Sequence, residues 1–162
     1  MLRLDGRDIE ILKILQSEGR ISKTDLARRI NLSPTPCWDR LQRLEKAGVI
    51  ESYGARVSYR ALGPHVTVFV TVEMEHHRAG LMQAFEVAVQ RYPEITGVWA
   101  LGGGLDYLMQ IVTRDIDSYQ RLIDTLLDAR IGLARYYTHI VTKPVKSPGA
   151  LPLDMLLGDQ GG

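Results

Sequence analysis

The apolar residues of this chain change period at Ala61-Leu62-Gly63-Pro64. Before that point they recur at helical spacing; just beyond it they alternate, from Val66 to Met74, before helical stretches return between strands. Such a switch separates a helical segment from one built on strands, and Gly-Pro halts regular structure on either side. At 162 residues the chain has room for one ordinary domain or two small ones, and the switch favours two. The expected class is α+β. A helical domain covers residues 1–50, an extended connector 51–64, a strand-containing domain 65–145 and a C-terminal arm 146–162.

The helical part is ordered around Ser22 to Gly48. Upstream, Asp5 can cap a first helix, with Asp8 at its third position and Ile9, Leu12 and Leu15 on its apolar side; Gly19 closes it. Ser22 can cap a second helix, and Asp25 can return the bond as a capping box does. Leu26, Ala27 and Ile30 lead to Asn31, a residue suited to a left-handed stop. Ser33 can cap a third helix, with Pro34 at its first position where the missing N–H costs nothing. Cys37, Leu41 and Leu44 form its buried stripe, which leaves Thr35, Asp39, Arg40, Gln42, Arg43 and Lys46 on the outer arc before Gly48. A short helix pair with a polar, basic second face is the shape that enters a DNA major groove.

Charge agrees with that reading. The formal net charge is +1, but residues 1–60 carry twelve Lys and Arg against eight Asp and Glu, whereas residues 61–162 carry eight against eleven. A basic front and an acidic back predict a polyanion-binding module joined to something else. Arg40, Arg43 and Lys46 would bind phosphates, with Lys23 and Arg28 as further backbone contacts from the preceding helix. Ser33, Thr35 and Asp39 would lie nearest the base edges, with Pro34 and Thr35 against thymine methyls. The alternative for this arc is a solvated face pairing Arg43 with Glu45 or Asp39. Cys37 reads as an inert core residue and Trp38 as packing between helices.

Beyond Pro64, Val66, Val68, Val70, Val72 and Met74 alternate with polar residues as a long strand. A helix over 79–91, strands over 95–101 and 105–113, a helix capped by Asp115 and a strand over 133–143 complete the order β-α-β-β-α-β, a ferredoxin-like sandwich. Both helices then cover one sheet face. Phe69 between two threonines on the other face predicts a homodimer built there. The tail from Ser147, with two more prolines and a glycine-rich end, reads as an arm whose Leu153, Met155, Leu156 and Leu157 dock on a neighbour.

Gly102-Gly103-Gly104 has the look of a phosphate loop, but a strand follows it, so no helix N-terminus is offered to an anion. A strand–strand turn needing positive φ is one reading; a loop whose backbone approaches a small effector is the other, and it comes with the resemblance given below. His76 and His77 would point to opposite faces of a strand and cannot share a metal, and surface or pairing roles are expected for His65 and His139. No nucleophile with an activating base stands at a usable spacing, so no catalytic centre and no cofactor are expected. No run of about 18 apolar residues exists to span a bilayer. The charged start MLRLDGRD is unlike a signal peptide, and one cysteine excludes an intrachain disulfide. A cytoplasmic, nucleoid-associated location follows as the expectation.

The residues Leu4-Asp5, Ile11-Leu12, Gly19-Arg20-Ile21-Ser22, Leu26-Ala27, Leu32-Ser33-Pro34-Thr35-Pro36-Cys37, Arg40, Arg43-Leu44-Glu45 and Gly48-Val49-Ile50 resemble the DNA-binding half of Lrp/AsnC transcription regulators. Gly103-x-x-Asp106-Tyr107 resembles the signature of the family's second half, so the likeness runs over residues 4–145. It implies a winged helix-turn-helix domain followed by an effector-binding ferredoxin-like domain, dimers that assemble into octamers, and a small amino acid as effector. The effector residues it implies are Gly102, Gly103, Gly104, Leu105, Asp106 and Tyr107, with Asp106 holding an α-ammonium. Gly104 and Leu105 stand where many members carry an acid and an aromatic. The Pro36-Cys37-Trp38 run, His76-His77 and the segments Gly97-Val98-Trp99 and Asp106-Tyr107-Leu108-Met109 are similar to the cysteine-responsive branch. The resulting expectation is a sequence-specific, effector-modulated DNA-binding regulator. The competing readings are a non-specific architectural DNA binder and an enzyme on the ferredoxin-like half.

Overall fold

In the computed structural model, which describes residues 2–158, helix α1 (Gly6–Ser17) begins at Asp5 with both halves of a capping box. The Asp5 carboxylate accepts from the Asp8 amide, and the Asp8 carboxylate accepts from the Asp5 amide, each at 3.0 Å. Helix α2 (Lys23–Arg29) completes only half of the expected box. The Ser22 hydroxyl accepts from the Asp25 amide at 3.1 Å, but Asp25 takes the hydroxyl proton rather than the Ser22 amide. Its other oxygen is drawn to Arg28, one turn further on. Asn31 makes the left-handed stop, at φ 52°.

Helix α3 (Pro34–Lys46) corrects the expectation for Ser33. Ser33 occupies the capping position, yet its hydroxyl makes no capping bond. A capping side chain bonds the amide of the second or third helical residue, and the third here is Pro36, which has none. Gly48 reverses the chain at φ 70°. Ile11, Leu12, Leu26, Ala27, Ile30, Cys37, Leu41 and Leu44 form the core of this three-helix unit. Among the described residues it contains no strand; residues 51–58, where a wing would stand, form no helix or strand.

The division into compact units falls after Arg56, earlier than Gly-Pro predicts. A short helix, α4 (Tyr59–Leu62), interrupts the connector expected to be extended; one turn is too short to carry an apolar period. Then follow β1 (Val66–Met74), α5 (Ala79–Val89), β2 (Ile95–Ala100), β3 (Tyr107–Thr113), α6 (Ile116–Asp128) and β4 (Leu133–Ile140). The strands form one antiparallel sheet in the order β2-β3-β1-β4, the ferredoxin-like arrangement. Val68, Val70 and Val72 of β1 are fully buried against Phe85 and Val89 of α5 and against Tyr119, Leu122, Ile123 and Leu126 of α6. Each such valine contributes about 1.5–3 kcal/mol by leaving water. The opposite face shows Phe69, Trp99 and Tyr137, the last two close to half exposed. Strand β1 stops at Met74, so His76 and His77 lie in the connection to α5 rather than in a strand.

Residues 146–158 belong to the first unit, so the arm expected to dock on a neighbour packs its Leu153 within this chain instead. Helix α7 (Leu153–Leu157) packs Leu153 against the helical core. The Gln16 side chain of α1 brackets the Leu151 backbone, accepting from its amide at 2.6 Å and donating to its carbonyl at 3.4 Å. Lys13 pairs with Asp154 at 2.6 Å. Met155 and Leu156 remain exposed. The glycine-rich end at 161–162 lies outside the described residues.

Candidate functional site

The outer arc of α3 divides in two. Thr35, Asp39, Gln42 and Lys46 are exposed and spaced 4, 3 and 4 residues apart, so they run along one stripe opposite buried Cys37, Leu41 and Leu44. Among the described residues none of the four takes part in an ion pair. Ser33 and Pro34, at the start of the helix, are also exposed.

Arg40 and Arg43 behave differently, which corrects their assignment to an open cationic ridge. Asp8 is fully buried and receives both: Arg40 Nη1 donates to its Oδ1 at 2.9 Å, and Arg43 Nη2 donates to its Oδ2 at 2.5 Å. Arg40 also donates to Asp5 at 2.6 Å, and its side chain is only 28% exposed. The Asp5 bond raises the Arg40 pKa further; against the opposing pull of burial, the guanidinium lowers that of Asp5. Neither Glu45 nor Asp39 is the partner of Arg43; Glu45 instead accepts from the Tyr53 hydroxyl, which burial and that carboxylate push up to about 12. The network fastens α3 to the first turn of α1. A buried carboxylate left unpaired would be costly, so the arrangement holds as a set.

The three cations of α2 are also engaged. Arg28 pairs with Asp25, and Arg29 makes two bonds to Glu18. Lys23 Nζ stands 3.1 Å from the centre of the Trp38 ring, a cation–π contact on a half-buried indole packed against the core. Cys37 is buried, and burial raises its thiol pKa, as an inert core residue requires. Sequence reasoning takes Asp8 for a helix-start residue and misses its role as the hub. The available signal is its place on α1, one turn before Ile11 and Leu12 on the apolar side, where a charge demands partners.

In the second unit, Gly102, Gly103 and Gly104 are exposed and a Cβ at any of them would meet nothing within 4 Å. Only Gly103, at φ 134°, needs glycine's freedom. Leu105 is half-buried. Asp106 closes the turn: its Oδ2 accepts from the Met74 amide at 2.7 Å and its Oδ1 faces His77 Nε2 at 2.8 Å. The Met74 bond, then His77, holds the Asp106 pKa below the ordinary value. Tyr107 departs from its expected place in an effector loop. Its side chain is in the core against Phe85, with its hydroxyl donating to Glu86 at 2.8 Å and its pKa raised to about 12 by burial and that carboxylate. Among the described residues no cluster of three or more His, Cys, Asp or Glu could hold a metal, and no helix is long and apolar enough to cross a membrane.

A braced helix-turn-helix unit followed by a ferredoxin-like unit defines a two-part regulator, with one part for DNA and one for a ligand. Residues 4–51 match the winged helix-turn-helix DNA-binding family, and residues 67–151 match the Lrp/AsnC ligand binding domain. The chain is 50% identical to the transcriptional regulatory protein DoeX of Halomonas elongata over 92% of its own length and 94% of that protein's. It is 34% identical to the leucine-responsive regulatory protein of Escherichia coli, over 91% and 90%. A transcriptional regulator from Neisseria meningitidis, solved as its L-Met complex, superposes with a TM-score of 0.87 at 32% identity, over 95% of this chain and 99% of that one. This chain belongs to the Lrp/AsnC family of transcription regulators.

Proposed function

We propose that the chain binds a specific DNA site through the stripe Thr35-Asp39-Gln42-Lys46 and the start of α3, and that a small amino acid held by the second unit modulates that binding. The observation that carries the DNA assignment is the division of α3. One side is locked to α1 through Asp8, while the exposed side keeps polar groups and a lysine without protein partners among the described residues. Ser33, Pro34, Thr35, Asp39 and Gln42 read base edges, and Lys46, Lys23 and Arg28 take phosphates. Arg40 and Arg43 act mainly by setting the pitch of the reading helix; Arg43, 45% exposed, retains room for a phosphate as well.

The likeness to a regulator solved with L-Met supports an amino acid as ligand, and the exposed backbone of Gly102–Gly104 beside Asp106 is a surface that another copy could complete. Cysteine belongs among the candidates on the residues named earlier, although DoeX, the leucine-responsive protein and the L-Met-bound regulator are not named for it. The open sheet face, with Phe69, Trp99 and Tyr137, supports a homodimer, from which octamers are built. The relatives are transcription regulators, which favours a non-enzyme in the cytoplasm.

The deciding experiment selects bound duplexes from a random pool, with and without a panel of amino acids that includes methionine, leucine and cysteine. A recovered site preferred over random duplex by about a thousandfold supports the reading. Recovery of no consensus would favour the architectural binder, and an identical affinity with every amino acid would remove the effector.

A further inference from the structure

The second unit has a cleft of about 430 Å3 at the end of the sheet away from the Gly102–Asp106 loop, between α4, the start of β1, the end of β3 and the start of α6. The loop precedes β3 and the cleft follows it; seven strand residues at about 3.3 Å each separate the two by about 20 Å. A volume near the low end of the range for ligand sites, about 300–1,000 Å3, suits a small metabolite.

The chemistry of the walls is mixed in an informative way. Arg114 and Glu94 both line the cleft, and they are brought together because the Val112 amide donates to the Glu94 carbonyl at 2.8 Å. Yet no ion pair joins them. Among the described residues the Glu94 carboxylate has no hydrogen-bond partner, and Arg114 spends only its Nε, on Asp115 at 3.2 Å. A cation and an anion sharing one cleft without neutralising each other leave a place for a ligand that carries both charges. Leu62 and Val112 supply an apolar wall, and Leu62 is 75% exposed as it stands. Tyr59 and His65 form the remaining side, with ring centres 5.6 Å apart. His65 turns its Nδ1 to the Gly63 carbonyl at 3.2 Å, which leaves Nε2 for another partner.

We infer that this cleft is an α-amino-acid site separate from the Gly102–Asp106 loop, with Arg114 holding the carboxylate, Glu94 the ammonium, and Leu62 and Val112 an apolar side chain. The inference rests on the proposal that this unit takes a small amino acid and adds a second place, apart from the Gly102–Asp106 loop, where one binds. A ligand held this way would tie α4, the first turn of the unit, to the start of β2 and the end of β3. Occupancy would thus stiffen the segment by which the connector enters the unit.

The test titrates the full-length protein, Arg114→Gln and Glu94→Gln with L-methionine, L-leucine and L-cysteine, by calorimetry and by the NMR signals of the His65 ring. The expected result is a shift of the His65 signals on adding an apolar amino acid, with affinity falling at least tenfold in either variant while the melting temperature holds. Heat of binding with static His65 signals, or with affinity unchanged in both variants, would overturn the cleft and leave the proposed function standing. No heat with any of the three would overturn the cleft together with the amino-acid half of the proposed function, and leave its DNA-binding half to the duplex selection.

Discussion

Asp8 is the residue whose replacement tests the architecture of the DNA-binding unit most directly. Three donors converge on its buried carboxylate: Arg40, Arg43 and the Asp5 amide. Asp8→Asn keeps the size and one acceptor but turns an amide N–H2 toward a guanidinium. The two arginines, 28% and 45% exposed, can recover water. The loss is therefore moderate, about 2 kcal/mol, well below the gross value of three charge-assisted bonds at about 1.5–3 kcal/mol each. The reverse removal is harsher. Arg40→Met with Arg43→Met keeps the alkyl packing but leaves a buried carboxylate with one amide, at about 3–5 kcal/mol. Adding Asp8→Asn to that pair should then restore stability, because it removes the stranded charge. The assay is urea unfolding followed by Trp38 fluorescence in a Trp99→Phe background, so that only the first unit reports. A triple variant no more stable than the double would refute the account of a buried hub.

Further expectations follow from the same geometry. Lys46→Ala should lower the slope of log affinity against log salt by about 0.9, and Arg43→Met by less, since Arg43 is already paired within the protein; anisotropy titrations across salt concentrations decide. Asp106→Ala leaves the Met74 amide without its acceptor and should cost about 1–3 kcal/mol in thermal or urea unfolding. Asp106 and Asp115 both have folded pKa values below their ordinary 3.8. The unfolded chain therefore binds more protons in acid, and the stability they give is present above that value and lost as pH falls, for Asp115 down to about 2. Acid unfolding of Asp115→Ala should lack that part of the transition. At Gly97 a Cβ would stand 2.5 Å from the Trp99 ring, so Gly97→Ala should displace the indole across the open sheet face. If copies pair through that face as proposed, sedimentation velocity should show weaker association with little change in melting temperature.

Much of this fold is legible in advance because its signals are local. Asp5, Ser22 and Asp115 announce helix starts through side chains that reach an amide three residues away. The valines of β1 announce a half-buried strand by alternation alone. What stays hidden depends on partners distant in sequence. Arg40 and Arg43 look like a free ridge until a carboxylate 32 and 35 residues upstream is seen to claim them. Helix α4 is too brief for a period to register, and Ser33 loses its capping bond to a proline whose effect falls three positions away. Adjacency to Asp106 suggests a loop position for Tyr107, but successive strand residues face opposite ways, and Tyr107 turns inward.

The helical unit is discontinuous along the polypeptide: its core takes Leu153, and Gln16 clasps the backbone at Leu151, 135 residues later. A ribosome adding about 5–20 residues per second needs roughly 5–20 s after completing Gly48 to deliver those groups. Throughout that interval the nascent front half lacks its closing piece, while the intervening sheet can already assemble. A fragment ended near residue 60, or a bulky tag that obstructs the returning segment, would thus reproduce the half-made protein rather than an independent reader of DNA.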